Sequence, residues 1–211
     1  MEQEFDSPHF HFKKGKMDNI KISNIVYDSF QEYQGESSLV LFLSHCNLKC
    51  PKCYNLPYMD REIMEAKRAL DVFQRPNHAA VVFLGGEPTV WDELPELVKY
   101  AKNEKGLKTK IYTNGQSPKV LLECAPYLDA VSIDFKAFSG VSKIIGKDIL
   151  DHIYMHNIFL CISKLKNYNK YTKIEVRTTK WEGVEYKKIR NYLKTIWPEI
   201  PHILQEPKEY K

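Results

Sequence analysis

No apolar run in this chain is long enough to cross a bilayer, and no basic stretch followed by an apolar segment opens it. The expected compartment is therefore the cytoplasm, with no membrane partner. Cysteine is scarce, five among 211 residues. An odd count in a chain that reads as intracellular argues against a disulfide framework as the organising device. Glycine is scarce too, at nine residues, and no glycine-rich dinucleotide fingerprint follows the first apolar run, Leu39–Leu43. There is no internal repeat and no low-complexity segment. Charge of one sign is also lacking: 31 basic residues against 27 acidic ones leave a net +4. Lysines do crowd between Lys164 and Lys194, interleaved with Tyr168, Tyr171, Tyr186 and Tyr192. Glu175, Glu182 and Glu185 interrupt them, so the stretch reads as a solvated helix face and no nucleic-acid partner is expected.

What is present is an ordinary globular composition and enough length to bury a sizeable core. Residues 1–18 are polar, carry His9 and His11, and read as an N-terminal extension; residues 19–211 read as a single domain. In that domain strand-like apolar runs alternate with helical patterns. The runs are Leu39–Leu43, Ala80–Leu84, Lys110–Tyr112, Ala130–Phe135, Ile158–Ile162 and Lys173–Arg177. Several are continuous rather than alternating, as in parallel strands covered on both faces. Ile63, Ala66, Leu70 and Phe73 share one helical face, and so do Leu94, Leu97, Val98 and Ala101, with Gly106 as the stop. Pro95 fits only in a first helical turn. Six strands in βα order predict an α/β fold with a parallel sheet and right-handed crossovers, too few for a complete eight-stranded barrel.

Three of the five cysteines, Cys46, Cys50 and Cys53, form a C-x3-C-x2-C run within SHCNLKCPKCYN, with no fourth nearby. Three thiolates can hold three irons of a [4Fe–4S] cluster and leave the fourth iron open. Full cysteine ligation makes electron carriers, whereas a missing protein ligand makes room for a reactive molecule, as in catalytic zinc sites. A structural zinc site wants four ligands at paired spacing, and His45 abuts Cys46 too closely to chelate beside it. Cys124 and Cys161 are isolated and read as buried structural thiols.

Other chemistry-bearing residues end successive runs. Gly85-Gly86-Glu87-Pro88 closes the second; paired glycines let backbone approach a ligand, and a carboxylate accepts charge-assisted bonds from an ammonium. Thr113-Asn114-Gly115 ends the third run. Asp134-Phe135-Lys136 ends the fourth, and alternation puts Asp134 and Lys136 on one face. Arg177, in EVRTT, ends what reads as the sixth strand.

The cysteine run, the glycine pair and these strand ends resemble the radical S-adenosylmethionine (SAM) superfamily over roughly residues 19–206. The resemblance implies a partial (β/α)6 barrel, open at one side, with a [4Fe–4S] cluster on Cys46, Cys50 and Cys53 and SAM bound beside it. It implies that Tyr54 packs near the adenine. It also implies that Gly85, Gly86 and Glu87 bind the methionine amino group, and that Thr113 and Asn114 help hold the cofactor. Asp134 and Lys136 resemble the D-x-K element of glycyl-radical-enzyme activases, which contacts SAM and helps hold a monovalent cation. Those activases carry Asp-Thr-Asn-Gly where this chain has Tyr112 before Thr113. Arg177 would meet the SAM carboxylate or an incoming protein substrate.

The stretch SFQEYQGESSLVLFLSHCNLKCPKCYN resembles activases of anaerobic (class III) ribonucleotide reductase, with Gln34 in place of a usual proline. Ile203-Leu204-Gln205 continues that resemblance. The implied reaction is one-electron reductive cleavage of SAM, giving methionine and a 5′-deoxyadenosyl radical that takes hydrogen from a glycine Cα of the reductase. The electron would come from a donor such as flavodoxin or ferredoxin. The protein supplies orientation and exclusion of side reactions, and no side chain needs to act as acid or base. Gln34-Gly35-Glu36 also resembles a segment of 7-carboxy-7-deazaguanine synthases, the runner-up; a viperin-like nucleotide enzyme shares only the core. Readings from a different class are a non-catalytic iron–sulfur or zinc module, which would not need the later strand-end motifs.

Overall fold

A computed structural model describes residues 17–168 and 172–207. Residues 1–16, with His9 and His11, and Tyr171 lie outside the described residues. The chain enters through a 3-10 turn, Met17–Asn19, and Ile20 is already fully buried. Strands β1 (Lys21–Ser29) and β2 (Ser38–Leu43) pair antiparallel, and the short β3 (Met64–Glu65) adds to the outer edge of β1. From β2 onward the chain winds in βα order. Helix α1 (Ala66–Phe73) precedes β4 (Ala80–Gly85), α2 (Leu94–Asn103) precedes β5 (Lys108–Thr113), and α3 (Pro118–Cys124) precedes β6 (Ala130–Asp134). Then come α4 (Val141–Ile145), α5 (Asp151–Tyr168), β7 (Lys173–Thr179), α6 (Tyr186–Ile196) and β8 (His202–Gln205).

The sheet order is β3-β1-β2-β4-β5-β6-β7-β8, and every pair from β2 to β8 is parallel. Six parallel strands in sequential order never reverse direction across the sheet. Right-handed crossovers then lay the helices on one face, which curls the sheet into a barrel. Its end strands, β3 and β8, do not meet, so one side stays open. Alternation along the strands makes two cores. Leu39, Leu41, Leu43, Val81, Phe83, Ile111, Val131 and Ile133 pack under the helices, while Val40, Val82, Leu84 and Ala130 face the interior with Tyr33.

The prediction of six parallel strands holds, but not with the predicted members. Ile158–Ile162 is not a strand; it lies inside α5, where Tyr154, Ile158, Cys161, Ile162 and Leu165 are buried at helical spacing. A five-residue apolar run has no period that separates strand from buried helix. The sixth parallel strand is β8 instead, and Arg177 therefore lies on the fifth, β7, which runs on to Thr179. Strands β1 and β3 were not predicted; only Ile22 and Ser23 of β1 are buried, so no regular apolar pattern marks it. Ile63 is exposed and precedes α1 rather than joining its apolar face. The α2 residues Leu94, Leu97, Val98 and Ala101 are all fully buried, with Pro95 in the first turn. The lysine-rich stretch turns out to be mixed in charge, with Lys166 paired to Glu199 and Lys188 to Glu185 at 3.3 Å. Among the described residues, no helix is long and apolar enough to cross a membrane.

Candidate active site

Parallel register brings the strand ends level. Leu43 stands opposite Gly85, Thr113 opposite Ile133, Asp134 opposite Arg177, and Thr179 opposite Gln205. The C-terminal edge of such a barrel is where active sites gather. A cleft there, with roughly 1060 Å³ of empty space including its mouth, is lined by every site residue singled out in the sequence. Cys46, Cys50, Cys53 and Tyr54 come from the loop after β2; Gly85, Gly86 and Glu87 close β4. Thr113 and Asn114 end β5, Asp134 and Lys136 follow β6, and Arg177 lies on β7.

The cysteine loop is held by backbone. Ser44 donates its N–H to Lys21 O at 2.9 Å and its hydroxyl to Arg61 O at 2.5 Å, while the Trp91 indole donates to Ser44 O at 3.1 Å. His45 then adopts φ 64°, a left-handed conformation uncommon outside glycine. That turn aims the His45 carbonyl at the end of β4, where it accepts the Glu87 N–H at 2.8 Å. A Cβ on Gly86 would lie 1.8 Å from this same oxygen, so only glycine lets the two backbones meet. On the far side of the run, the Asn55 amide donates to Gly85 O at 2.7 Å.

All five cysteines are free thiols. Cys46 and Cys53 are half-buried and Cys50 is buried. Burial pushes the Cys46 thiol up to about 12, helped by the nearby Glu87 charge. Burial also raises Cys50, with the Lys136 ammonium pulling the other way. The Leu48 N–H points at the Cys46 sulfur at 3.4 Å, a contact that favours a thiolate. Among the described residues, no three His, Cys, Asp or Glu side chains close tightly round one ion. A cluster makes a different demand, a separate sulfur for each of three irons from one cleft wall, and the donor set fits it. Cys124 and Cys161 are fully buried away from this wall.

Glu87 is 1 % exposed and makes four hydrogen bonds. Its Oε1 accepts from Thr89 N at 3.0 Å, Thr89 Oγ1 at 2.6 Å and Thr113 Oγ1 at 2.8 Å, and its Oε2 from Asn114 N at 2.6 Å. Burial raises its pKa, and these donors oppose the rise. Lys136 Nζ lies 2.9 Å from Asp134 Oδ2 and 5.5 Å from the Trp181 ring centroid. Burial works most strongly against that ammonium, but Asp134, Cys50 and Tyr154 together outweigh it and the net shift is upward. The Arg177 guanidinium stacks 4.5 Å above the Tyr112 ring, and its Nε is buried without a hydrogen-bond partner. Tyr112 donates its hydroxyl to Glu32 O at 3.1 Å, and Lys110 sits 4.5 Å from the same ring.

Sequence reasoning missed Asn47, whose Oδ1 accepts the Asn114 amide at 2.7 Å and ties the cysteine loop to β5. It also missed Trp181 and Glu32 in the cleft wall, which no local pattern flags, and it named Gln205 only within Ile203-Leu204-Gln205, with no place in the site.

A partial barrel that gathers three free thiols and charged strand ends in one cleft fits an enzyme that uses an iron–sulfur centre. The sequence pattern of the radical SAM superfamily matches residues 40–180, and the chain belongs to that superfamily. Its relatives include a Methanocaldococcus jannaschii protein provisionally named a glycyl-radical enzyme activating enzyme. That protein is 38 % identical over 167 residues, 75 % of this chain and 67 % of the relative. An S-adenosylmethionine-dependent nucleotide dehydratase of Lacinutrix mariniflava is 28 % identical over 181 residues, 72 % of this chain but only 38 % of the relative. Among solved structures, Streptococcus suis SuiB bound to S-adenosylmethionine superposes with a TM-score of 0.57 at 17 % identity, over 81 % of this chain and 43 % of SuiB. That likeness is one of fold.

Proposed function

We propose that this radical SAM enzyme is a cytoplasmic activase that installs a glycyl radical on a partner enzyme, with anaerobic ribonucleotide reductase as the partner. The observation that carries the reading is the 38 % identity to a relative named as a glycyl-radical enzyme activating enzyme, across three quarters of this chain. Tyr33 and Gly35, at their distance from Cys46, and the Asp134–Lys136 pair support the same reading. Cys46, Cys50 and Cys53 would hold a [4Fe–4S] cluster, and together with SAM it would supply a 5′-deoxyadenosyl radical.

The chain's own residues bind and orient. The Gly85 and Gly86 backbone offers carbonyls to the methionine ammonium. Glu87 sets that backbone rather than reaching the ligand, because its carboxylate is already committed to Thr89, Thr113 and Asn114. Tyr54, half exposed at the rim, offers a face to the adenine. Arg177, with its unpartnered Nε, takes a carboxylate. Asp134 is already neutralised by Lys136, so a monovalent cation beside it would have to share or displace that ammonium.

The test is electron paramagnetic resonance on an anaerobic mixture of reconstituted protein, SAM, a reductant such as reduced flavodoxin or ferredoxin, and the reductase from the same source. A glycyl doublet that needs all four components establishes the activase. A reduced cluster that cleaves SAM without a doublet rejects this partner. It would favour a different glycyl radical enzyme or a small-molecule substrate, the latter supported by the nucleotide dehydratase relative.

A further inference from the structure

The middle cysteine of the run is held in place from outside its own loop. Lys49, immediately before Cys50, donates its backbone N–H to Ile145 O at 2.9 Å. Ile145 is the last residue of α4, and Gly146 caps that helix at φ 63°, its own N–H returning to Ser142 O at 3.0 Å. A Cβ on Gly146 would lie 2.0 Å from Lys49 O and 2.7 Å from Lys49 C. This is backbone against backbone, so no side-chain rotation could relieve it.

Helix α4 is itself braced. The Asp151 carboxylate at the start of α5 accepts the N–H groups of Gly140 and Val141 at 3.0 and 2.9 Å. The Ser142 hydroxyl donates to Ile149 O at 2.8 Å. Helix α5 is packed into the core through Tyr154, Ile158 and Ile162. The chain of contacts therefore runs from core to α5, to α4, to the Lys49 backbone. Val141 and Ile145 of α4 are themselves fully buried in the same core, so packing and these hydrogen bonds together set the orientation of a helix too short to hold itself.

We propose that α4 and its Gly146 cap form a clamp that fixes the Lys49–Cys50 backbone and so presents the Cys50 sulfur to the cluster. Gly146 is thus a positioning residue; the inference rests on the cluster reading of the three cysteines given above. Nothing in the local sequence VSKIIGK signals contact with a loop nearly a hundred residues earlier.

The fold supplies its own control. Gly140, at the other end of α4, has φ 61°, and a Cβ there meets nothing within 4 Å. Gly140→Ala and Gly146→Ala thus share the same backbone strain and differ in the clash with Lys49. Each full-length variant is reconstituted anaerobically with ferrous iron and sulfide. Iron and sulfide per chain, the resonance signal of the reduced cluster and the thermal melt are then measured.

Gly140→Ala should load like the unaltered protein. Gly146→Ala should hold less than about half as much iron and show a changed signal for what remains, while melting within about 5 °C of Gly140→Ala. Full loading of Gly146→Ala with an unchanged signal overturns the clamp. Failure of the unaltered protein to load overturns the cluster reading and this proposal with it. Should Gly146→Ala not fold, amide exchange on the metal-free unaltered protein decides. The Lys49 amide should be protected by about 100-fold or more over an open loop, and free exchange there overturns the clamp.

Discussion

Glu87 Oε2 accepts the Asn114 backbone N–H at 2.6 Å, joining the end of β4 to the end of β5 beneath the cleft. With Thr89 and Thr113 on the other oxygen, the carboxylate works as a buried brace between two strand ends.

Removing that brace should cost stability as well as ligand affinity. Glu87→Ala leaves buried donors without an acceptor, a loss of about 3 kcal/mol. Urea unfolding of the metal-free protein measures it, and SAM affinity should fall in parallel. A variant as stable as the unaltered protein would show that water replaces the carboxylate.

Each of Cys46→Ala, Cys50→Ala and Cys53→Ala should abolish SAM cleavage and reduce bound iron to below about one fifth, because a missing thiolate removes one corner of the ligand set. Circular dichroism should change little, since the three cysteines lie in the loop after β2, outside the strands and helices. A purified single variant that still cleaves SAM would contradict the ligand assignment.

Lys110 and Glu175 pair at 3.1 Å inside the barrel, with side chains 9 % and 25 % exposed, and the Ser132 hydroxyl also bonds Glu175. Burial lowers the Lys110 pKa, against the pull of Glu175. Glu175→Ala strands that ammonium and should cost about 2 kcal/mol, less than a fully buried pair because the carboxylate is partly solvated. Joint replacement by Lys110→Met and Glu175→Leu should return stability to within about 1 kcal/mol of the unaltered protein. A double variant as unstable as the single would mean the charges themselves shape the interior.

His202 gives a pH signature. Burial and the nearby Arg190 charge depress its pKa from 6.5 to about 4, while its Nε2 lies 2.9 Å from Thr178 Oγ1. The unfolded chain binds the proton first, so the stability from keeping His202 neutral is complete above pH 6.5 and is lost progressively down to about pH 4. The melting temperature should fall across that window, and His202→Asn should fall less steeply. Parallel curves for the two proteins would remove the assignment.

Much of the site could be read directly from the residues. A C-x3-C-x2-C run states its chemistry because ligand spacing within one loop is local, and the same holds for the glycine pair that follows β4. The continuous apolar strands announced a parallel sheet because burial on both faces demands apolar residues on both. Reading failed at Ile158–Ile162, where five apolar residues fit a strand or a buried helix equally, and at β8, too short and too exposed to carry a pattern. The role of Glu87 also changed: as a sequence element it looked like a ligand, but folding surrounds it with donors.

By itself the sequence marked the candidate cluster ligands, the first four parallel strands and the motifs at their C-terminal ends, since these depend on neighbours along the chain. Only the tertiary structure decided that the strand ends stand level, that Asn47 meets Asn114, that the Arg177 Nε is buried without a partner, and that Gly146 bears on Lys49. Those are contacts between segments far apart in the chain, set by sheet register and helix packing, and register is a property of paired strands that no single segment encodes.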